Sequence, residues 1–278
     1  MRAIFKLQNH YQAFTEIIML FTRHRQLTLE MAKREITDRY LGQIFGAFWA
    51  LAHPLVFILV YIFIFGFVFK VKIGGTRDLP LDYTVYLLSG LIPWLCIQEA
   101  MAKSTTVIVA NANLVKQVVF PIEILPVKGV ISSVFTQCIF LAMLVVYVLF
   151  TYHHLPWTYI LLPLLILVEA MGAIGISYIL SSVSVYFRDL KDFVTVFVVV
   201  GVYLIPAFYL PEFVPAAFRP LLYANPFSYL IWCFQDVLYY GRFEHPWAWG
   251  VFFILSLGTF YFGYRIFRKL KLMFGNVL

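Results

Sequence analysis

The sequence is poor in charge. Asp, Glu, Lys and Arg make up 13% of its 278 residues, against about 25% in an ordinary soluble domain. Cysteine is scarce too: Cys96, Cys138 and Cys233 stand far apart, which excludes both a disulfide framework and a cysteine metal cage. There is no G-x-x-x-x-G-K-[ST] phosphate loop, so the chain does not hydrolyse ATP by that route. The net charge of +7 is spread without a dense basic run, which argues against a surface that tracks nucleic-acid phosphates. The longest early apolar stretch, Ile17 to Phe21, is too short for the core of a cleavable signal peptide.

What the chain has instead is apolar residues, 62% of the total, gathered in long charge-free runs. A bilayer core of about 30 Å needs about 20 apolar residues per spanning helix. No charge falls between Arg39 and Lys70, or between Asp82 and Glu99, or over the forty residues from Gly129 to Val168. The last of these is long enough for two spans, broken by the polar turn Tyr152-His153-His154-Leu155-Pro156. The predicted architecture is all-α and polytopic. Its six spans fall at 48–69, 84–102, 129–151, 157–182, 193–210 and 246–264, with Pro93 expected to kink the second. Adjacent His153 and His154 in an exposed turn make no metal cage without further ligands.

Residues 1–45 carry two helical apolar stripes, Phe14/Ile17/Ile18/Phe21 and Leu29/Ala32/Ile36/Tyr40, among charged neighbours. This pattern predicts an amphipathic arm lying in the membrane interface. Residues 211–244 hold Pro211, Pro215, Pro220 and Pro226 and many aromatics. They predict short re-entrant helices, which are stable where protein or water covers the broken backbone. Sixteen of the 21 Lys and Arg lie in the N-terminal arm, the 103–128 and 183–192 loops and the tail. By the positive-inside rule both termini are cytoplasmic.

Three local patterns narrow the class. Arg39-Tyr40 is followed by Gly46, Phe48-Trp49-Ala50-Leu51 and Pro54. Asn113-Leu114-Val115-Lys116 precedes Phe120-Pro121-Ile122-Glu123-Ile124-Leu125-Pro126. The loop before the fifth span reads Tyr186-Phe187-Arg188-Asp189-Leu190-Lys191-Asp192. In this order and at these depths, and with Asn225-Pro226 before the last span, the chain resembles the ABC-2 type permeases of polysaccharide exporters. That group handles O-antigen, capsule and teichoic-acid chains. Gln43 stands where the family often carries serine.

The resemblance implies a transport subunit of the inner membrane rather than an enzyme. Its cargo would be an undecaprenyl-diphosphate-linked polysaccharide, O-antigen first, with capsule, teichoic acid, drug or lipid as alternatives. It implies no cofactor in this chain, with ATP and Mg²⁺ held by two copies of a cytoplasmic ATPase subunit, and a homodimer around the channel. Asn113, Lys116, Phe120, Pro121, Glu123 and Pro126, with Arg188 and Asp189, become the expected ATPase-coupling elements. From the residues alone, the 103–128 loop is either a docking surface or a plain connector. Pro121 and Pro126 would bracket a short element that does not merge with the third span. Gly42 and Gly46 form a G-x-x-x-G, a weak pointer to a dimer face outside a span.

Aromatic residues make up 19% of the chain. A Tyr or Trp covers the apolar face of a sugar and keeps a polar tip for its hydroxyls. The expected translocation path is Trp49, Phe57, Tyr61, Tyr86, Trp94, Tyr203, Phe208 and Tyr209, although aromatics facing lipid or forming interfacial belts read the same way. Phe213, Phe218, Tyr223 and Phe227 are the expected gate on the far side, or else a loop packed on the bundle. Glu169, the carboxylate well inside a span, is either a channel contact or a helix–helix hydrogen bond. A membrane enzyme would need carboxylates grouped at a membrane face. Asp78, Asp82, Glu212, Asp236 and Glu244 show no such pairing in sequence.

Overall fold

The computed structural model describes residues 24–46, 48–68, 80–116 and 120–277. The first apolar stripe of the arm and the loop from Lys70 to Asp78 lie outside them. The described residues form helices and connecting turns, without strands. In chain order they are α1 (Arg25–Asp38), α2 (Phe48–Tyr61, continued as a π-helix Ile62–Val68), α3 (Tyr83–Ser104), and the short α4 (Val107–Ala110) and α5 (Ala112–Lys116). Then come α6 (Ile124–Tyr152), α7 (Leu162–Ser184, entered through a 3₁₀ turn Trp157–Leu161), α8 (Leu190–Gly201), α9 (Arg219–Ala224), α10 (Pro226–Gln235), α11 (Pro246–Leu270) and α12 (Phe274–Val277).

Among the described residues, five segments are long and apolar enough to cross a membrane: Phe48–Val68, Tyr83–Ser104, Ile124–Tyr152, Trp157–Ser184 and Pro246–Met273. They fall on five of the six expected spans. The expected span 193–210 is different. Its helix, α8, has 12 residues, about 18 Å at 1.5 Å per residue, well short of the bilayer core. Pro206 keeps a helix from running through to 210. It has no N–H to bond back to Val202, and it disfavours helical geometry at Ile205. Residues 202–210 form turns instead.

Side-chain donors meet much of that irregular backbone. Tyr86 Oη donates to the carbonyls of Pro206 (3.1 Å) and Tyr209 (3.0 Å). Gln235 Nε2 donates to Pro206 O at 2.9 Å and Tyr83 Oη to Phe208 O at 2.7 Å. Asn225 Nδ2 donates to Leu204 O at 3.1 Å. Broken backbone among membrane helices survives only on such terms.

The centre of the bundle is α3, which packs on α6, α7 and α10. Asp82 starts it by accepting from Val85 N–H at 3.0 Å, an N-cap, and Lys103 sits in its last turn, where a cation suits the helix dipole. The tightest crossing joins α7 to α11. A Cβ on Gly175 would collide with the Thr259 carbonyl, and one on Gly263 with the Gly175 carbonyl. Only small residues let two backbones approach so closely.

Two further expectations change. α6 begins at Ile124, not at 129, so Pro126 lies in its first turn. A first-turn N–H has no helical partner in any case, and proline is tolerated there. Gly42 and Gly46 have φ of +80° and +47°; they turn the chain between α1 and α2 and present no helix face. The turn at 152–156 is as expected, with His153 closing α6 in the left-handed region at φ 58°.

Candidate functional site

One end of the bundle collects the charges. Glu35 on α1 lies 3.3 Å from Lys103 on α3 and 3.4 Å from Lys128 on α6. Lys103 also pairs with Glu99 at 3.0 Å and donates to Ser132 Oγ at 3.0 Å. Arg39 closes the network on Glu99. The amphipathic arm, with Thr28 and Ala32 buried, is thus pinned to the ends of two long helices. The i,i+4 pair Glu99–Lys103 is readable from spacing. The contacts of Glu35 and Lys128 are not, because they join residues on three elements.

At this same end the expected coupling residues divide into two groups. Asn113 and Lys116 are exposed, as are Arg188 and Asp189. Glu123 is buried and forms an ion pair with Lys271 of the tail. Its backbone carbonyl accepts from Tyr178 Oη at 3.3 Å. The expectation that Glu123 is open to a partner's charge therefore gives way: its partner is within the chain. Pro126 is buried, and Phe120 and Pro121 are half-buried. The tail continues the clasp, since Tyr186 Oη donates to Leu270 O at 3.1 Å and Phe274 is fully buried against Phe267.

The aromatics expected along the path also separate. Phe57 and Tyr61 are half-buried, with ring centroids 4.6 Å apart, and the stack continues through Phe65 (5.8 Å from Tyr61) to Tyr83 (5.2 Å from Phe65). Neither Phe65 nor Tyr83 was picked out by sequence, though the i,i+4 spacing of 57, 61 and 65 was available as a signal. Trp49 packs on Phe45 and His53. Tyr203 is exposed and stacks on Phe208 at 6.0 Å, and Tyr209 donates to the Tyr203 carbonyl.

Tyr86 and Trp94 are buried inside the protomer, at 1% and 0% exposure. Tyr86 holds the 206–209 backbone. Trp94 lies over Gly201, where a Cβ would stand 2.7 Å from its ring. Both pack within this chain, and Trp94 also borders the cavity that Phe218 and Phe227 line. The reason is the short α8: once it ends at Gly201, the following turns fold over α3. Glu169 is likewise enclosed, accepting from Gln137 Nε2 at 2.6 Å across the α6–α7 contact. The helix–helix hydrogen bond of its two readings is present, and Glu169 also borders a cavity of about 200 Å³ with Gly172 and Ser256.

The expected gate residues do not form one plug. Phe218 and Phe227 line a cavity of about 710 Å³ with Trp94, Phe197 and Tyr209. Tyr223 lines a separate cavity of about 450 Å³ beside Trp232 and His245. Phe213 is exposed and belongs to neither lining. Among the described residues no group of His, Cys, Asp and Glu is arranged to hold a metal.

A bundle of long apolar helices, with an ion-pair network at one end and a proline-broken segment at the other, is the architecture of a multi-pass membrane permease. The sequence profile of the ABC-2 type transporter family matches residues 26–239, and the chain belongs to that family. It is 28% identical over 255 residues to the O-antigen export system permease protein RfbA of Klebsiella pneumoniae, covering 91% of this chain and 95% of that protein. A second Klebsiella pneumoniae protein of the same name is 27% identical over the same shares. RfbA of Myxococcus xanthus is 25% identical over 223 residues, 79% of this chain and 83% of the relative.

Proposed function

We propose that this chain is the permease half of an O-antigen exporter, moving undecaprenyl-diphosphate-linked polysaccharide across the inner membrane. The observation that carries the proposal is the likeness to O-antigen export permeases along 91% of the chain. A match of that extent takes in the broken segment before the last span as well as the helices, so more than a shared membrane scaffold is in common.

The energy comes from a separate ABC ATPase, present in two copies and holding the ATP and Mg²⁺. Two copies of this chain form the conduit; a closed two-fold dimer is the commonest assembly. The charged end faces the cytoplasm, because sixteen of 21 Lys and Arg belong to it or to its connecting arm. Both termini are on that side. There the exposed Asn113, Lys116, Arg188 and Asp189 meet the ATPase. The half-buried stack of Phe57, Tyr61 and Phe65, with exposed Tyr203, forms the sugar-contacting wall. Phe213, Phe218 and Phe227 belong to the gate at the periplasmic end.

Deletion of the gene from its host tests the proposal. Surface O-polysaccharide is lost, lipid-linked polymer accumulates inside, and a plasmid copy restores both. Normal surface glycan in the deletion strain refutes the reading.

A further inference from the structure

The end of the bundle opposite the charged network holds a cavity of about 450 Å³ between the 210–212 turn, α9, α10 and the 240–245 loop. Its volume lies in the range of small-ligand sites, and its walls are mixed. Tyr223 and Tyr240 supply aromatic surface, backed by the fully buried Trp232; Glu212, Arg242, Glu244 and His245 supply polar groups. Three carboxylates that stand scattered in the sequence, Glu212, Asp236 and Glu244, are gathered here.

The polar side is built, not merely exposed. Asp236 is 1% exposed and accepts from His245 N–H at 3.1 Å and from Trp249 Nε1 at 3.0 Å. His245 Nδ1 lies 2.9 Å from the same carboxylate. A carboxylate at that distance accepts the Nδ1–H hydrogen bond, which fixes the ring and leaves Nε2 free to hydrogen-bond another group. Trp232 stacks on the imidazole at 5.6 Å and 15°. Arg242 and Glu244 pair at 2.9 Å beside it, and Arg219 fixes the facing turn by donating to the carbonyls of Glu212 and Val214, both at 2.9 Å.

Tyr223 belongs to a continuous aromatic packing behind the cavity. Tyr223 lies 5.4 Å from Trp232 and 5.8 Å from Trp247, and the two tryptophans are 5.1 Å apart. Tyr223 and Trp247 are nonetheless 45% and 46% exposed. Large aromatic faces left open beside fixed hydrogen-bonding groups match the two surfaces of a sugar ring, an apolar C–H face and a rim of hydroxyls.

We propose that this cavity is a glycan subsite: it holds one pyranose unit of the polymer as it emerges, stacked on Tyr223 with a hydroxyl hydrogen-bonded to His245 Nε2. The inference rests on the export reading and adds a binding site at its far end.

The test uses the full-length protein in lipid nanodiscs and, as probe, the host strain's own O-polysaccharide freed from its lipid by mild acid, with binding followed by tryptophan fluorescence and by calorimetry. The wild type binds. Tyr223→Ala and His245→Ala each bind at least tenfold more weakly, and Phe262→Ala, on an exposed face of α11, binds as the wild type. If His245→Ala does not fold, because it strands the buried Asp236, the exposed Tyr223→Ala still decides the matter. No binding by the wild type, or equal binding by Tyr223→Ala, overturns the subsite. The same variants are expressed in the deletion strain. If the wild-type chain restores surface glycan while the binding result is negative, the subsite alone has failed. If the deletion strain never loses its surface glycan, the export reading has failed and the subsite with it.

Discussion

The ion pair between Glu123 and Lys271 should be the strongest single tie between the segment before α6 and the C-terminal tail. The Glu123 side chain is 9% exposed and that of Lys271 30%. A hydrogen bond to a charged group contributes about 1.5–3 kcal/mol, and removing one member of a fully buried pair costs about 3–5 kcal/mol. Water still reaches Lys271, so the cost here falls below the buried limit: about 2 kcal/mol for Lys271→Ala, and about 3 kcal/mol for Lys271→Glu, which sets like charges together. The swapped pair, Glu123→Lys with Lys271→Glu, should recover at least 1 kcal/mol relative to the sum of its single changes. Equilibrium unfolding of the purified protein in mixed micelles, arranged as a double-mutant cycle, measures this. Independent sites add to within about 0.3–0.5 kcal/mol. A coupling inside that window would refute the claim that Glu123 is satisfied within the chain, and would return it to the surface available to a partner.

Charge reversal at exposed Lys116 or Asp189 should reduce co-purification with the ATPase severalfold and leave the unfolding midpoint unchanged, as pull-down and unfolding on the same preparations would report. Gly175→Leu should prevent stable accumulation in the membrane, because its side chain would enter the Thr259 backbone; overpacking costs about 1–3 kcal/mol even where neighbours can yield. Gly258→Leu, with open space around its Cβ position, is the matched control, and immunoblots of membranes compare the two. Gln137→Leu leaves Glu169 buried beside an apolar group and should cost about 2–3 kcal/mol in the unfolding assay. Glu169→Gln keeps a hydrogen bond to Gln137 and should cost less than about 1 kcal/mol.

The long helices were legible because their signal is local. A run of about 20 apolar residues needs no knowledge of its neighbours to span a bilayer, and Phe48–Val68 and Trp157–Ser184 fall within two or three residues of the expected 48–69 and 157–182. The break at 152–156 was legible for the same reason. At 193–210 hydropathy marks a span where the helix proper, Leu190–Gly201, has 12 residues, since it scores Pro206 as one residue among many and ignores its missing N–H. The candidate site was less legible because its relations are long-range. Glu123 and Lys271 are 148 residues apart. Glu212, Asp236 and Glu244 come together only through the folding of α9 and α10. Aromatic type marked residues able to face a sugar, but the same residues pack cores and line interfaces. Composition alone did not separate Tyr203, which is exposed, from Tyr86, which is enclosed.

That separation has a mechanical meaning, and Tyr86 tests it. If Tyr86 were there for its ring face alone, Tyr86→Phe would keep the function and the stability of the wild type. Its hydroxyl instead donates to two carbonyls, Pro206 O and Tyr209 O. Pro206 O keeps a second donor in Gln235, whereas Tyr86 supplies the side-chain hydrogen bond to Tyr209 O. Losing the hydroxyl should therefore cost about 1–2 kcal/mol, one net hydrogen bond plus part of the penalty for an under-satisfied buried carbonyl. Loss of the Tyr203 hydroxyl, on an exposed ring, should cost less than about 0.5 kcal/mol. Because the irregular turns after α8 lead into the segment that carries the two cavities, loosening them at Tyr86 should also raise proteolytic nicking at residues 202–218. Equal unfolding midpoints for Tyr86→Phe and Tyr203→Phe, with unchanged nicking, would mean that these turns hold their shape without the Tyr86 hydroxyl.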